Sequence, residues 1–82
     1  MVKVQLLIAS WCPVCPAAMK IWRTVAAEKT IDYKEVDIST EEGKELVLKY
    51  EIKGVPVTII EDQLTFARVP DPDEARMAIR QV

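Results

Sequence analysis

The segment from Val2 to Ala9 begins by alternating, with Val2, Val4 and Leu6 on one row, and ends in the uninterrupted apolar run Leu6-Leu7-Ile8-Ala9. A strand of this kind is buried on both faces, so it must run through the middle of a sheet with covering layers above and below. That demand points to an α/β architecture, and the rest of the chain supplies the layers. Directly after the strand, without a linker, come Ser10-Trp11-Cys12-Pro13-Val14-Cys15-Pro16 and a helical pattern to about Glu28, with Ala18, Ile21, Trp22 and Val25 on one face. Trp22 on that stripe reads as a core residue.

Asp32 to Ile38 reads as a second strand through Tyr33, Val36 and Ile38. Ser39-Thr40-Glu41-Glu42 has the spacing of a capping box, Ser39 being the cap and Glu42 its partner. The helix it opens carries Leu46, Val47 and Tyr50 on its apolar side. Gly54-Val55-Pro56 leads into the β-rich run Val57-Thr58-Ile59-Ile60. Glu61-Asp62-Gln63 reads as a turn, and Leu64 to Val69 as a fourth strand. Asp71-Pro72-Asp73-Glu74 combines a helix cap, proline at the first helical position and an acid two further on. The closing helix aligns Ala75, Ala78, Ile79 and Val82.

The order is therefore β-α-β-α-β-β-α. A short strand–helix–strand unit implies a parallel pair with a right-handed crossover, and the closely joined last strands are antiparallel. The expected fold is a four-stranded mixed sheet with flanking helices, formed by one domain over residues 1–82. With 50% hydrophobic residues, a chain of 82 can close one core without a metal or a set of disulfides.

Two cysteines are too few for a disulfide scaffold in a chain this small. Their spacing also makes a poor staple: closing a loop of about four residues is worth roughly 2 kcal/mol, against about 4 kcal/mol for about forty residues. A bridge across so tight a ring suits a bond that is made and broken. Cys12 stands where a buried strand hands over to a helix, near unpaired amides and the positive end of the helix dipole, which favour thiolate over thiol. Pro13 fits the first helical position, and Cys15, one turn on, faces the same side. The pair predicts thiol–disulfide exchange: Cys12 attacks a substrate disulfide, and Cys15 then displaces the substrate by bonding to Cys12.

The chain contains no histidine, which excludes a Cys–His nucleophilic dyad. A structural zinc site would need about four ligands, and this chain offers two thiolates and no imidazole, so no metal ligands are assigned. Metal or iron–sulfur binding by cysteines pooled from two chains stands as a non-enzymatic alternative. A formal charge of −2, with scattered positive residues, gives no basic face for nucleic acid or a membrane surface. The four-residue apolar run falls far short of the roughly 20 residues of a membrane span. Nor does the N-terminus resemble a signal peptide, so the expected location is the cytoplasm.

Trp11-Cys12-Pro13-Val14-Cys15, taken with Gly54-Val55-Pro56-Val57-Thr58 about forty residues later, resembles the thioredoxin/glutaredoxin superfamily over essentially the whole chain. The resemblance implies a thioredoxin-like fold and a thiol–disulfide oxidoreductase acting on protein disulfides. It implies Cys12 and Cys15 as the catalytic pair, whose disulfide is the only redox group and replaces any cofactor. It further implies a cis Val55–Pro56 bond packed against that pair, with the Val55 backbone open to a substrate strand. Trp11, Pro13, Val55 and Pro56 are the expected substrate contacts. Expected partners are disulfide-containing proteins and a reductase or small thiol as electron donor, with the protein itself monomeric.

Two departures from the pattern matter. Thioredoxins bury an acid on the strand behind the second cysteine, whereas that strand here supplies Val4, Gln5, Leu6 and Leu7. Water or another group, with Glu61 and Asp62 as candidates, must then take the Cys15 proton. Glutaredoxins bind glutathione partly through a Gly-Gly-Asp-like segment before the last helix. Arg68-Val69-Pro70-Asp71-Pro72 stands there instead, favouring protein-disulfide reduction over the alternative of a glutathione-dependent glutaredoxin-like enzyme.

Overall fold

The computed structural model describes residues 1–82. Its elements are β1 (Val2–Ile8), α1 (Cys15–Glu28), β2 (Ile31–Asp37), α2 (Glu41–Tyr50), β3 (Val57–Ile60), β4 (Gln63–Phe66) and α3 (Pro72–Arg80), in the expected order. The sheet runs β2-β1-β3-β4, with β1 parallel to β2 and antiparallel to β3, and β3 antiparallel to β4. No helix is long and apolar enough to cross a membrane.

The alternation of β1 divides the core. Val4 and Leu6 join Ala18, Trp22 and Val25 of α1, Ile60 of β3, and Ala75 and Ile79 of α3. Leu7 joins Val57 and Ile59 against Leu46, Val47 and Tyr50 of α2. The central strand is thus buried on both faces, as its patterning requires, and each fully buried Leu or Val contributes about 1.5–3 kcal/mol.

Several boundaries differ from the sequence expectation, each for a tertiary reason. Strand β2 ends at Asp37 because the chain turns there: Asp37 Oδ1 accepts from Ser39 N–H at 2.8 Å and from Ser39 Oγ at 2.7 Å. With Ser39 so engaged, Thr40 caps α2 in its place, accepting from Gly43 N–H at 3.1 Å. Glu42 reaches across to Lys34 at 2.7 Å instead of completing a capping box. The turn after β3 has two residues rather than three. Glu61 and Asp62 both adopt positive φ, 49° and 64°, which suits the twist of a tight hairpin. Gln63 is thereby drawn into pairing with Ile60, so β4 starts at Gln63 and ends at Phe66 rather than Val69.

Helix α3 begins as expected, with Asp71 as cap, Pro72 next, and the Asp71 N–H donated to Glu74 Oε1 at 2.9 Å. Val82 lies beyond its end and is 58% exposed, not on the apolar face. Gly43 had no sequence-level explanation inside a helix. A β-carbon there would collide with the Asp37 carbonyl oxygen and lie 2.6 Å from Ile38 Cα, so only glycine lets α2 sit this close to the end of β2.

Candidate active site

Strand β1 releases the chain at the end of the sheet where Ile38 N–H still reaches the Ile8 carbonyl, at 2.9 Å. A turn follows, held by the Cys12 N–H donating to the Ala9 carbonyl at 3.2 Å. Cys12 then stands in front of α1 and Cys15 occupies its first position, with Pro16 second. Pro13 is therefore in the turn and not the first helical residue. The sulfur of Cys12 sets this boundary, because it accepts the Cys15 N–H at 3.1 Å and satisfies an amide that the helix leaves free. Pro16 falls among the first four helical positions, where a missing N–H forfeits no helical bond.

Cys12 and Cys15 are both free thiols and both buried, at 6% and 2% exposure. They cluster with Ala9, against Ile8, Ile38 and Val55. The Val55–Pro56 peptide is cis, as the resemblance implied, and Pro56 is buried. The Cys12 thiol donates weakly to the Val55 carbonyl oxygen, 3.7 Å away. Around this opening Trp11 is 70% exposed, and Val14 and Pro13 also face solvent. The structure thus brings Cys12, Cys15 and Val55–Pro56 to one place and sets Trp11 and Pro13 on its rim.

The two sulfurs have different surroundings. Burial pushes the Cys15 thiol up to about 11, and its bond with Cys12 adds to this, while the Ala9 backbone opposes it. Cys12 instead faces the amide end of α1, where the peptide dipoles present their positive pole.

Neither acid proposed for the Cys15 proton is present at the site. Glu61 Oε2 accepts the Lys3 N–H at 2.9 Å and Asp62 pairs with Lys3 Nζ at 3.7 Å, both at the start of β1. The cysteines lie past its other end, roughly 15–20 Å away at about 3.3 Å per strand residue. The antiparallel pairing of β3 with β1, which the sequence does not reveal, carries the hairpin to that end and removes both candidates.

Two residues of the site's foundation escaped the sequence reading as a pair. Trp22 is buried, as its stripe implied, but its Nε1–H also donates to Thr58 Oγ1 at 3.0 Å, and both residues are fully buried. The available signal was a threonine inside the otherwise apolar run Val57-Thr58-Ile59-Ile60.

Before α3, Arg68 is committed to Glu74 through two bonds, of 2.9 and 2.7 Å. Arg68, helped by the Asp71 N–H, holds the Glu74 carboxyl down at about 2.

Comparison with known proteins adds relatives to this geometry. The family model described as Thioredoxin domain matches residues 2–80. A probable thioredoxin of Archaeoglobus fulgidus is 37% identical over 82 residues, covering 100% of this chain and 90% of that protein. A thioredoxin of Methanocaldococcus jannaschii is 32% identical over 81 residues, covering 98% and 94%. Among solved structures, thioredoxin-2 of the malaria parasite superposes with a TM-score of 0.83 at 19% identity, over 100% of this chain and 84% of that one. A mutant thioredoxin from Halobacterium salinarum gives 0.82 at 20% identity, over 98% and 73%. At these identities the solved structures speak for the fold alone.

Proposed function

This chain belongs to the thioredoxin family and is a thiol–disulfide oxidoreductase, and we propose that it reduces protein disulfides through Cys12 and Cys15. The observation that carries the reading is the double placement of the Cys12 sulfur, 3.1 Å from the Cys15 amide nitrogen and 3.7 Å from the Val55 carbonyl oxygen. One sulfur thus meets the helix end, the second cysteine and the backbone carbonyl that precedes the cis proline.

In the proposed cycle the Cys12 thiolate attacks one sulfur of a substrate disulfide. The Cys12–substrate bond forms, the substrate S–S bond breaks, and the departing thiolate takes a proton. Cys15 then gives its proton to water and attacks Cys12 Sγ, which releases the second substrate thiolate. Two electrons pass from the dithiol to the substrate, and the chain is left with a Cys12–Cys15 disulfide. A reductase or small thiol returns the two electrons. Water serves as base because Glu61 and Asp62 are held at the far end of β1.

Val55 offers its backbone to an extended substrate segment, whose N–H replaces the weak Cys12 S–H contact at the Val55 carbonyl. Trp11 and Pro13 form the outer docking rim and Pro56 the floor. The Arg68–Glu74 pair favours protein substrates over glutathione, because no unpaired arginine is left there for a peptide carboxylate. The protein works as a cytoplasmic monomer with no cofactor beyond its own disulfide.

Insulin reduction with a dithiol donor tests this reading. The parent protein accelerates precipitation of the insulin chains and Cys12→Ser does not. Equal activity of the two would overturn the assignment. The glutathione alternative is checked with a mixed-disulfide glutathione substrate and Cys15→Ser, since that chemistry needs Cys12 alone.

A further inference from the structure

The platform at Val55–Pro56 and the cysteines at the start of α1 belong to segments about forty residues apart, and substrate reduction needs them in register. Most of what joins them is apolar. Leu6, Ala18 and Ile60 meet in the layer beneath the site, and dispersion between such side chains has little directional preference. One contact there does have direction, the bond from Trp22 Nε1–H to Thr58 Oγ1 at 3.0 Å.

Its position is informative. Thr58 is the second residue of β3, the strand that begins directly after Pro56. Trp22 stands seven residues after Cys15, two helical turns on, and both belong to the buried stripe of α1. Each end of the bond has its own support. The Trp22 ring stacks on Tyr33 of β2, with centroids 6.5 Å apart and an interplanar angle of 23°. Thr58 is paired with Leu6 on one side and Phe66 on the other, beside a β-bulge. Its branched Cβ restricts χ1 and so fixes where Oγ1 points.

Stability alone does not call for a hydroxyl here. A buried hydroxyl and a buried indole N–H each carry a desolvation penalty that their mutual bond offsets, and two apolar side chains of the same shape would serve the core about as well as the pair does. We infer that Thr58 is a positioning residue for the reaction: through Trp22 it ties the strand that follows Val55–Pro56 to the helix that begins at Cys15, and so sets the register between the substrate's backbone and the Cys12 sulfur. This rests on protein-disulfide reduction as the function. A reacting atom displaced by about 1 Å can lose about 10²-fold in rate, so a modest slackening is measurable.

The test compares a protein disulfide with a small one that needs no strand pairing. For Thr58→Val, kcat/KM for insulin falls about tenfold, while the rate with dithiobis(nitrobenzoate) stays within about twofold. Thr58→Ser, which keeps the acceptor, restores insulin reduction. Trp22→Phe removes the donor and reproduces the same split, which serves if Thr58→Val folds poorly. Unchanged rates on both substrates, or an equal fall on both, would overturn the inference. Hydrogen exchange of the Cys15 amide gives a second reading that does not depend on insulin being a substrate. Exchange is faster in Thr58→Val and returns to the parent value in Thr58→Ser, and no change in Thr58→Val counts against the tie. If the parent itself leaves insulin intact, the proposed function fails while the exchange measurement still decides on Thr58.

Discussion

The amide of Cys15 points at the sulfur of Cys12, 3.1 Å away, so the first helical N–H of α1 is bonded to the sulfur that stands in front of the helix. The same contact separates the two cysteines chemically: one sulfur accepts from the helix end while the other is enclosed behind it.

Cysteine replacement follows from that arrangement. Cys15→Ser leaves the attacking sulfur but removes the group that displaces the substrate. It is expected to accumulate a stoichiometric mixed disulfide with a substrate, visible as a mass increase reversed by excess dithiol. Cys12→Ser accumulates none. In the parent, iodoacetamide near neutral pH modifies Cys12 before Cys15, and equal modification rates would contradict the assigned order.

The pH dependence has a definite sign. Burial raises the Cys15 thiol to about 11, from 9.0 for an unperturbed thiol. In a mixed disulfide the contribution of Cys12 is gone but burial remains, so the rate of closure of the Cys12–Cys15 disulfide keeps rising with pH above neutrality, with no plateau near it. For stability, the folded state holds this proton more tightly than the unfolded one. Its contribution is complete below about pH 9 and declines as pH rises toward about 11. Stopped-flow release of substrate and urea unfolding between pH 8 and pH 11 measure the two effects, and Cys15→Ser removes the second.

The two glycines separate close approach from open space. Gly43→Ala forces a β-carbon onto the Asp37 carbonyl and is expected to destabilise the fold by about 2–3 kcal/mol. Gly54→Ala meets nothing within 4 Å and stays within about 0.5 kcal/mol of the parent. Urea midpoints of the two variants, taken at constant m-value, make the comparison.

Capping of α2 offers a similar contrast between neighbours. Thr40 holds the Gly43 amide at 3.1 Å, so Thr40→Ala costs about 1 kcal/mol. Ser39 bonds to Asp37 on the exposed side, and Ser39→Ala has the smaller effect. Thermal unfolding of the pair reverses the ranking that the spacing of Ser39 and Glu42 alone suggests.

The order of elements, the two-sided burial of β1 and the placement of Cys12 and Cys15 at its exit were legible in the chain. They rest on periodicity and turn chemistry, which act between near neighbours. The apolar alternation of Val2 to Ala9 and the Asp71-Pro72 helix start carry their own explanation, whatever surrounds them. What only the tertiary structure decided lies between segments distant in sequence. The β2-β1-β3-β4 order carries Glu61 and Asp62 to Lys3 and away from the cysteines. Packing of α2 on the end of β2 makes Gly43 necessary, and Trp22 meets Thr58 across 36 residues. Such contacts depend on strand order and through-space distance, and no local pattern encodes them before the sheet closes.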